Sequence, residues 1–275
     1  RHPAPGLRVG EDRHPVPRAG IPAAASRDMR VDVFFTPAGL SAAEVQGCTV
    51  FVIDILRATT SMCAALNHGA KAIIPVGSAE EALRLAQTIG SADVLLAGEK
   101  NCVRIPGFHL GNSPLEMTEP VVRGKTIIVT TSNGTRALLA CQGAAAVFPA
   151  AAVNLTAAAE RAREALDGDQ PVLIVCAGRD AAFSLDDAYC AGRLASAIFG
   201  GTKPRRALND AGLASLDLVR RYGSRWERPL AYSRAGRELI RLGFRADVRE
   251  AARLDAYPIL AHFHERRITL IAVPV

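Results

Sequence analysis

The chain has 275 residues, of which 49% are hydrophobic and 22% are charged, so it can form a large core and is neither mostly disordered nor collagen-like. Its formal net charge of +6 arises at the ends, since residues 203–253 hold thirteen Lys and Arg against six acids, whereas residues 31–202 hold twelve against sixteen. The basic segment has few interleaved aromatic residues, so solvated helix faces explain it better than nucleic-acid binding does.

Features of membrane or secreted proteins are missing from the sequence. The longest apolar stretch, residues 143–153, is too short to cross a bilayer and contains Pro149, and residues 1–30 lack the apolar core of a signal peptide. The six cysteines show neither Cys-x-x-Cys nor zinc-finger spacing, which favours free thiols in a reducing compartment. We therefore expect a cytoplasmic protein with no membrane partner.

Domain limits follow from where hydrophobic periodicity begins. Residues 1–28 are rich in Pro, Gly, Ala and Arg and have no such period, which predicts a disordered N-terminal extension. A strand pattern begins after Met29, so the folded domain is expected to cover residues 29–275. It forms either one unit or two α/β lobes, the second over about residues 150–275.

Strand and helix patterns alternate along this domain. Apolar, β-branched runs predict strands at residues 30–35, 49–53, 70–76, 93–97, 126–130, 145–150, 172–176, 258–263 and 268–273. Helices are predicted at residues 58–68, 78–89, 134–141, 154–166 and 185–199 and within 205–253. Ser78 and Asn154 are expected to cap two helices, with Glu81 completing a capping box at the first. This alternation is typical of an α/β fold with a mostly parallel sheet.

Polar residues follow four of the predicted strands. Ligands of open α/β sheets bind beyond the carboxyl ends of the strands, so these residues are expected to meet at one site. They are Asp54, Arg57, Thr59 and Thr60 after the strand at 49–53, Glu99 after that at 93–97, Asn133, Gly134 and Thr135 after that at 126–130, and Arg179 after that at 172–176.

Several of these residues allow a structural and a functional interpretation. Asp54 either caps the following helix or serves as a metal ligand or nucleophile. Arg57 is either a surface residue or a bidentate clamp for an anion. Thr59 and Thr60 suit a helix cap, and Thr60 is also placed to reach a ligand.

The segment from Ser132 to Thr135 lies where a strand changes into a helix. It is either an ordinary glycine turn or a place where free backbone N–H groups hold a phosphate. It matches neither the P-loop nor the GxGxxG pattern, which counts against a nucleotide-dependent phosphotransferase.

A second acidic cluster and a long polar loop add further candidates. Asp186 and Asp187 open a helix, where they either favour the helix dipole or join Asp54 and Glu99 in binding Mg²⁺. The loop over residues 98–114 carries His109, either a packing residue or a substrate contact, and Asn112. A further pair, His262 and His264, lacks partners for a metal site and is interpreted as structural.

These residues stand within a recognisable series of blocks. The blocks FVIDILRATTSMCAALNHGAKAIIPV, LLAGEKNCVRIPGFHLGNSPLEM, IIVTTSNGTRALLAC and GRDAAFSLDDAYCAG, in this order, resemble the 2-phosphosulfolactate phosphatase family of ComB-like proteins. The resemblance covers the chain from Met29 to about Val275. It implies an α/β fold peculiar to the family, the ComB-like phosphatase fold, and a Mg²⁺-dependent hydrolase that converts 2-phospho-3-sulfolactate to 3-sulfolactate and phosphate.

The resemblance also implies roles for individual residues. Its motif positions here are Asp54, Arg57, Thr59, Thr60, Glu99, Asn112, Asn133, Gly134, Thr135 and the acidic pair. The family tends to show Glu-Asp where this chain has Asp186 and Asp187, so the second carboxylate is the preferred ligand. We thus expect Asp54, Glu99 and Asp187 to bind Mg²⁺, N–H groups near residues 133–135 to hold the phosphate, and Arg57 or Arg179 to hold the sulfonate or carboxylate.

Two functional hypotheses remain open at this point. The first is a metal-assisted phosphomonoesterase acting on a small anionic phosphorylated substrate, either the sulfolactate ester or a related phosphorylated hydroxy acid. The alternative is a non-catalytic anion-binding or regulatory protein on the same fold. Release of phosphate in the presence of Mg²⁺ separates the two. Assembly into a homo-oligomer is compatible with either.

Overall fold

The computed structural model describes residues 30–90, 92–200 and 207–271, and within them strands and helices alternate as predicted. The strands are β1 Val31–Phe34, β2 Thr49–Ile53, β3 Ala72–Pro75, β4 Val94–Lys100, β5 Val103–Arg104, β6 Thr126–Thr130, β7 Ala146–Ala150, β8 Val172–Cys176, β9 Ala261–His264 and β10 Arg267–Leu270. The helices are α1 Ala42–Val45, α2 Ala58–Asn67, α3 Ala79–Ile89, α4 Glu119–Val122, α5 Gly134–Ala140, α6 Leu155–Asp167, α7 Leu185–Ile198, α8 Asp210–Tyr222, α9 Glu227–Tyr232, α10 Arg234–Arg241 and α11 Arg245–Ala251.

The strands form two sheets. The first has the order β1-β8-β2-β7 and is entirely parallel. The second has the order β5-β4-β6-β3-β10-β9, in which β4, β6 and β3 are parallel and the remaining pairings are antiparallel. The predicted α/β class with mostly parallel strands is confirmed. Each sheet draws strands from both halves of the chain, so the sheets do not follow the lobe boundary expected near residue 150, and the domain limits stay a prediction.

The first sheet lies at the centre of the core. Every residue of β2 and β8 is buried, as expected for strands flanked on both sides and covered by helices. The rings of Phe51 and Phe148 stack across β2 and β7 at a centroid distance of 5.3 Å. Helix α6 buries four alanines and α7 buries three, and these small side chains let the helices approach the strands closely.

Helix capping agrees with the sequence only in part. The Oγ of Ser78 accepts from the backbone N–H of Glu81 at 3.1 Å, as predicted, but the expected capping box is wrong because the Glu81 carboxylate accepts from the N–H of Gly77 instead. Asn154 stands at the N-cap position of α6, as predicted, but its side chain makes no capping bond to the helix. Its Oδ1 accepts from the N–H of Ala151 at 2.9 Å, so it closes the turn before the helix.

The predictions for the two ends of the chain have different outcomes. The expected disordered extension over residues 1–28 lies outside the described residues. The helical region expected within residues 205–253 is confirmed by α8 to α11, and the last two predicted strands correspond to β9 and β10. Among the described helices, none combines the length and the apolar character needed to cross a membrane.

Candidate active site

A small polar cavity lies at the carboxyl ends of four parallel strands. It has a volume of about 160 Å³ and receives residues that follow β2 and β8 of the first sheet and residues at the ends of β4 and β6 of the second. The sequence prediction of a site at the strand ends therefore agrees with the structure. The lining residues are Asp54, Leu56, Arg57, Glu99, Asn101, Cys102, Asn112, Ser132, Asn133, Gly178, Arg179, Asp180, Ser184, Asp186, Asp187, Arg234 and Ala235.

Asp54 is held between the first residues of two helices. Its carboxylate accepts from the N–H of Ala58 at 3.3 Å, where α2 begins, and from the N–H of Gly134, where α5 begins. Only glycine fits at position 134, because a Cβ there would lie 2.5 Å from the Cβ of Ala58 and 2.6 Å from the Oδ2 of Asp54. Asp54 thus bonds to the first turn of α2, as its structural interpretation expects, and it also lines the cavity, while its role as a metal ligand or nucleophile stays a prediction.

The acidic pair at the start of α7 has two different environments. The oxygens of Asp187 accept from the N–H of Ile55 at 3.0 Å and from the N–H of Gly178 at 3.1 Å, so this side chain joins the ends of β2 and β8. Asp186 accepts a hydrogen bond from the hydroxyl of Ser184. Both carboxylates are buried and line the cavity.

Burial of these carboxylates shifts their protonation. It raises the pKa of Asp54 to about 7, and the neighbouring Glu99 and Asp186 add to the rise, although the N–H groups that bind Asp54 oppose it. Burial likewise raises the pKa of Asp186, and that of Asp187 is raised well above its usual range by burial, Asp186 and Asp54. The cavity therefore crowds carboxyl groups whose ionised forms are unfavourable next to one another, and a bound cation would favour those ionised forms.

The donor set fits Mg²⁺ rather than zinc. All candidate ligands are carboxylate oxygens, and across the described parts of the chain no three His, Cys, Asp or Glu side chains are grouped closely enough to hold a metal by themselves. Mg²⁺ is usually bound by one or two carboxylates, retained waters and substrate phosphate, whereas structural zinc takes a closed set of nitrogen and sulfur ligands. An open, oxygen-only site of this kind suits an ion that binds together with a phosphorylated substrate.

Glu99 is placed by backbone hydrogen bonds on both sides. One of its carboxylate oxygens accepts from the N–H of Cys102 and the other from the N–H of Ser132, each at 2.7 Å. These bonds hold the end of β4 against the end of β6. Glu99 is half-buried and faces the cavity, as the sequence predicts.

Three arginines line the cavity, and they differ in how many bonds their guanidinium groups make to the protein. Arg179 is half-buried, and its guanidinium makes no hydrogen bond or ion pair with any residue that the structure describes. Arg234 lies 3.7 Å from Asp180 in an exposed ion pair. Arg57 is buried and not the surface residue that the alternative interpretation supposed, because its guanidinium donates to Asp247 and to a backbone carbonyl.

The predicted threonine contacts are not at the cavity wall. Thr59 donates to the carbonyl of Asp54 at 2.9 Å, Thr60 to the carbonyl of Ile55 at 2.8 Å, and Thr135 to that of Thr131 at 3.1 Å. All three threonines are fully buried, so their hydroxyls serve the turns between strand and helix.

The expected N–H cradle for phosphate also differs from what the structure shows. The N–H of Gly134 bonds to Asp54, and the N–H of Thr135 donates to the Oγ1 of Thr131 at 3.1 Å, so both are occupied within the protein. Asn133 lines the cavity and accepts from the N–H of Asp180 at 3.2 Å. The loop thus positions the carboxylate of Asp54 and the loop that contains Asp180.

Of the remaining candidates, Asn112 lines the cavity and the histidines do not. Asn112 is buried and lines the cavity. His109 packs against β4, where its Nδ1 accepts from the N–H of Leu96 at 2.9 Å, and it is not among the lining residues. The rings of His262 and His264 stack on β9 at 5.4 Å. Packing roles account for all three histidines.

Three residues in or beside the cavity wall were not among the sequence candidates. Ser184 precedes the acidic pair and could have been found as the helix N-cap, but Arg234 and Asp247 come from the basic helical region that was interpreted as solvated faces. Their contribution depends on how α10 and α11 pack against the strand ends, which hydrophobic periodicity does not reveal.

Native alkylation is expected to modify Cys102 first. Cys102 is half-buried at the cavity wall, whereas the other five cysteines are buried, and burial raises the pKa of Cys63 and Cys141 to about 12. Thiolate is the reacting form, so buried thiols of high pKa react slowly. Peptide mass spectrometry after brief iodoacetamide treatment at pH 8 measures the order, and earlier labelling of Cys63 would contradict this picture of the cavity wall.

Fold and site together define an α/β protein with a cavity at the strand ends that is lined by carboxylates and arginines. A family model for 2-phosphosulpholactate phosphatase matches residues 34–266. A probable 2-phosphosulfolactate phosphatase of Symbiobacterium thermophilum is 42% identical over 231 residues, which cover 84% of this chain and 97% of that protein. Proteins of the same name from Carboxydothermus hydrogenoformans and Clostridium acetobutylicum are 36% and 33% identical, over 88% and 86% of this chain and 97% of each relative.

The chain therefore belongs to the 2-phosphosulfolactate phosphatase family, whose name denotes phosphoric monoester hydrolases. The resemblance found in the sequence is confirmed. The matched region includes every cavity residue from Asp54 to Ala235.

Proposed function

We propose that the protein hydrolyses 2-phospho-3-sulfolactate to 3-sulfolactate and phosphate at the cavity lined by Asp54, Glu99 and Asp187. One observation carries the proposal, which is that the buried carboxylates and Arg179 meet in a single cavity at the strand ends of a chain in this family. The relatives' names supply the substrate.

Charge explains why the site would need a cation. The substrate carries a phosphate, a sulfonate and a carboxylate, and the cavity already contains Asp54, Asp186 and Asp187 in buried positions. Repulsion between these charges is strong where water is largely excluded. Mg²⁺ held by one or two of the carboxylates of Asp54, Glu99 and Asp187 would neutralise charge on both the protein and the phosphate, and it would polarise the phosphoryl group when bound.

The protein's own residues would orient the substrate. The free guanidinium of Arg179 is suited to a bidentate contact with the sulfonate or carboxylate. Arg57 keeps N–H groups that are not used by its protein partners and can donate them to the phosphate. Asn112 and Asn133 add polar side chains to the wall. Held in this way, the ester bond lies against the carboxylates, and the entropy of bringing the reacting groups together is lost on binding rather than in the transition state.

Removal of divalent metal is expected to abolish activity. Without a cation the buried carboxylates repel the substrate, so the rate of phosphate release in EDTA should fall at least about a hundredfold, equivalent to ~3 kcal/mol. Mg²⁺ or Mn²⁺ should restore it better than zinc does, because the ligands are oxygens. Full activity of metal-free enzyme would overturn the assignment of the carboxylates to a metal site.

A panel of phosphate esters tests the function itself. Phosphate release is measured with Mg²⁺ for 2-phospho-3-sulfolactate, for phospholactate, which lacks the sulfonate, and for 3-phosphoglycerate. We expect the highest kcat/KM with the sulfonated ester. Turnover of phospholactate at an equal kcat/KM would point to a related hydroxy-acid phosphatase, and saturable binding of all three without phosphate release would point to a non-catalytic anion-binding protein.

A further inference from the structure

A buried ion pair connects Arg57 on the cavity wall to α11, near the end of the described chain. The Nη1 of Arg57 donates to the Oδ2 of Asp247 at 2.6 Å, and both side chains are 3% exposed. The Nη2 of the same guanidinium donates to the carbonyl of Cys102 at 2.7 Å. Its central carbon lies 4.7 Å from the centroid of the Phe244 ring, one helical turn before Asp247. The guanidinium is thus fixed by an acid, a carbonyl and an aromatic face.

Asp247 is itself held in place by a second bond. Its Oδ1 accepts from the hydroxyl of Ser113 at 2.8 Å. Ser113 follows Asn112, a buried residue of the cavity wall whose carbonyl accepts from the hydroxyl of Ser61 at 2.7 Å. The carboxylate of Asp247 therefore has a defined orientation, and it does not line the cavity itself.

The chemistry of arginine makes this arrangement informative. A guanidinium has five N–H donors in a fixed plane, and two bonds to the protein leave three. A lone buried arginine would be costly, and a long side chain without partners would sample several rotamers. With Asp247 in place, Arg57 can remain buried at the cavity wall with a constant orientation of its unused donors.

We infer that Asp247 is a positioning residue that fixes the guanidinium of Arg57 for anion binding, so that α11 controls a cavity formed mainly by the strand ends. The inference rests on the proposed function in assigning Arg57 to the phosphate. It concerns a residue 190 positions away in sequence, which touches neither the carboxylate cluster nor the cavity.

A double-mutant cycle tests whether Asp247 acts through Arg57. Binding of inorganic phosphate in the presence of Mg²⁺ is measured calorimetrically for the wild type, Asp247→Asn, Arg57→Lys and the double variant. We expect each single variant to weaken binding at least about tenfold, and the double variant to bind no more weakly than Arg57→Lys alone. The inference would be overturned if the losses of phosphate affinity in the two single variants multiplied in the double variant, or if Asp247→Asn bound phosphate like the wild type.

Kinetics on an ester that the wild type hydrolyses give a second readout. Loss of positioning should raise KM more than it lowers kcat, and Asp247→Glu should recover part of the loss because it restores the charge. Equal falls in kcat for the Asn and Glu variants with KM unchanged would indicate a merely structural role and overturn the inference. Phosphate binding is measured without turnover. The double-mutant cycle therefore still tests the inference if the protein does not hydrolyse the proposed substrate.

Matched variants keep the test independent of folding. Asp217→Asn removes an acid from an exposed ion pair with Arg220 and should bind phosphate like the wild type. Ser113→Ala keeps the ion pair and frees one oxygen of Asp247. If Asp247→Asn does not fold, the cycle is run with Ser113→Ala, for which we expect about a threefold loss of binding that disappears in the Arg57→Lys background. A loss that persists there would contradict the inference.

Discussion

The substitution Asp54→Asn is expected to reduce kcat/KM for phosphate release at least about 1,000-fold, equivalent to ~4 kcal/mol. Asp54 is the carboxylate that two helix starts direct into the cavity, and burial together with Glu99 and Asp186 raises its pKa to about 7. An amide has a similar shape but carries no negative charge for a cation and takes no proton. Steady-state kinetics with Mg²⁺ measure the loss, and a rate within tenfold of the wild type would remove Asp54 from the reaction.

The same variant should change how stability depends on pH. The pKa of Asp54 in the folded state, about 7, lies above its ordinary value of 3.8, so the folded protein holds a proton that the unfolded chain has released between these values. The stability that this proton contributes is present below about pH 4 and lost as the pH rises through 7. In EDTA, the melting temperature of the wild type should therefore fall across this window, and Asp54→Asn should show a smaller fall. An identical pH profile would show that Asp54 titrates normally.

The substitution Gly134→Ala is expected to damage both stability and catalysis. The new methyl group would meet the Cβ of Ala58 at 2.5 Å and the Oδ2 of Asp54 at 2.6 Å, neither of which can move without shifting a helix or the carboxylate. Overpacking of this kind typically costs about 1–3 kcal/mol, which corresponds to a fall in melting temperature of roughly 3–10 °C for a protein of this size. Because Asp54 is displaced as well, kcat should fall about a hundredfold.

A second glycine provides the control for this experiment. At Gly168, after α6, an added Cβ would have its nearest neighbours at 3.5 Å, an ordinary contact, and the backbone does not adopt a left-handed conformation there. Gly168→Ala should therefore keep the melting temperature and rate of the wild type. If Gly134→Ala behaves like Gly168→Ala in melting and kinetics, the close approach at Asp54 has no functional importance.

Local patterns predicted the elements and much of the cavity. The run at Thr49–Ile53 consists of β-branched residues and one phenylalanine, and it forms β2 with those bounds because both faces of the strand are covered. Asp54, Glu99 and the acidic pair were found because each follows a strand or opens a helix, and the chain directions in a parallel sheet bring such positions to one edge.

Other features depend on contacts that a single sequence does not display. The division of the strands into two sheets depends on which strands pair with each other. The hydrophobic patterns of β2 and β3 do not show that these two strands belong to different sheets. Thr59, Thr60 and Thr135 have the composition expected of a binding loop, but their hydroxyls meet carbonyls one turn away. The partner of Arg57 could not be predicted, because Asp247 looks like any acid on a helix until α11 is packed against the cavity.

A crystal structure with Mg²⁺ and tungstate, a stable analogue of phosphate, tests the central claim most directly. The account predicts anomalous density for tungstate inside the cavity, in contact with Arg179 or Arg57, and a metal ion bound by at least one of Asp54, Glu99 and Asp187. Tungstate bound only elsewhere, for example at the arginine-lined hollow around Trp226, with the carboxylate cavity empty of both ions, would contradict it.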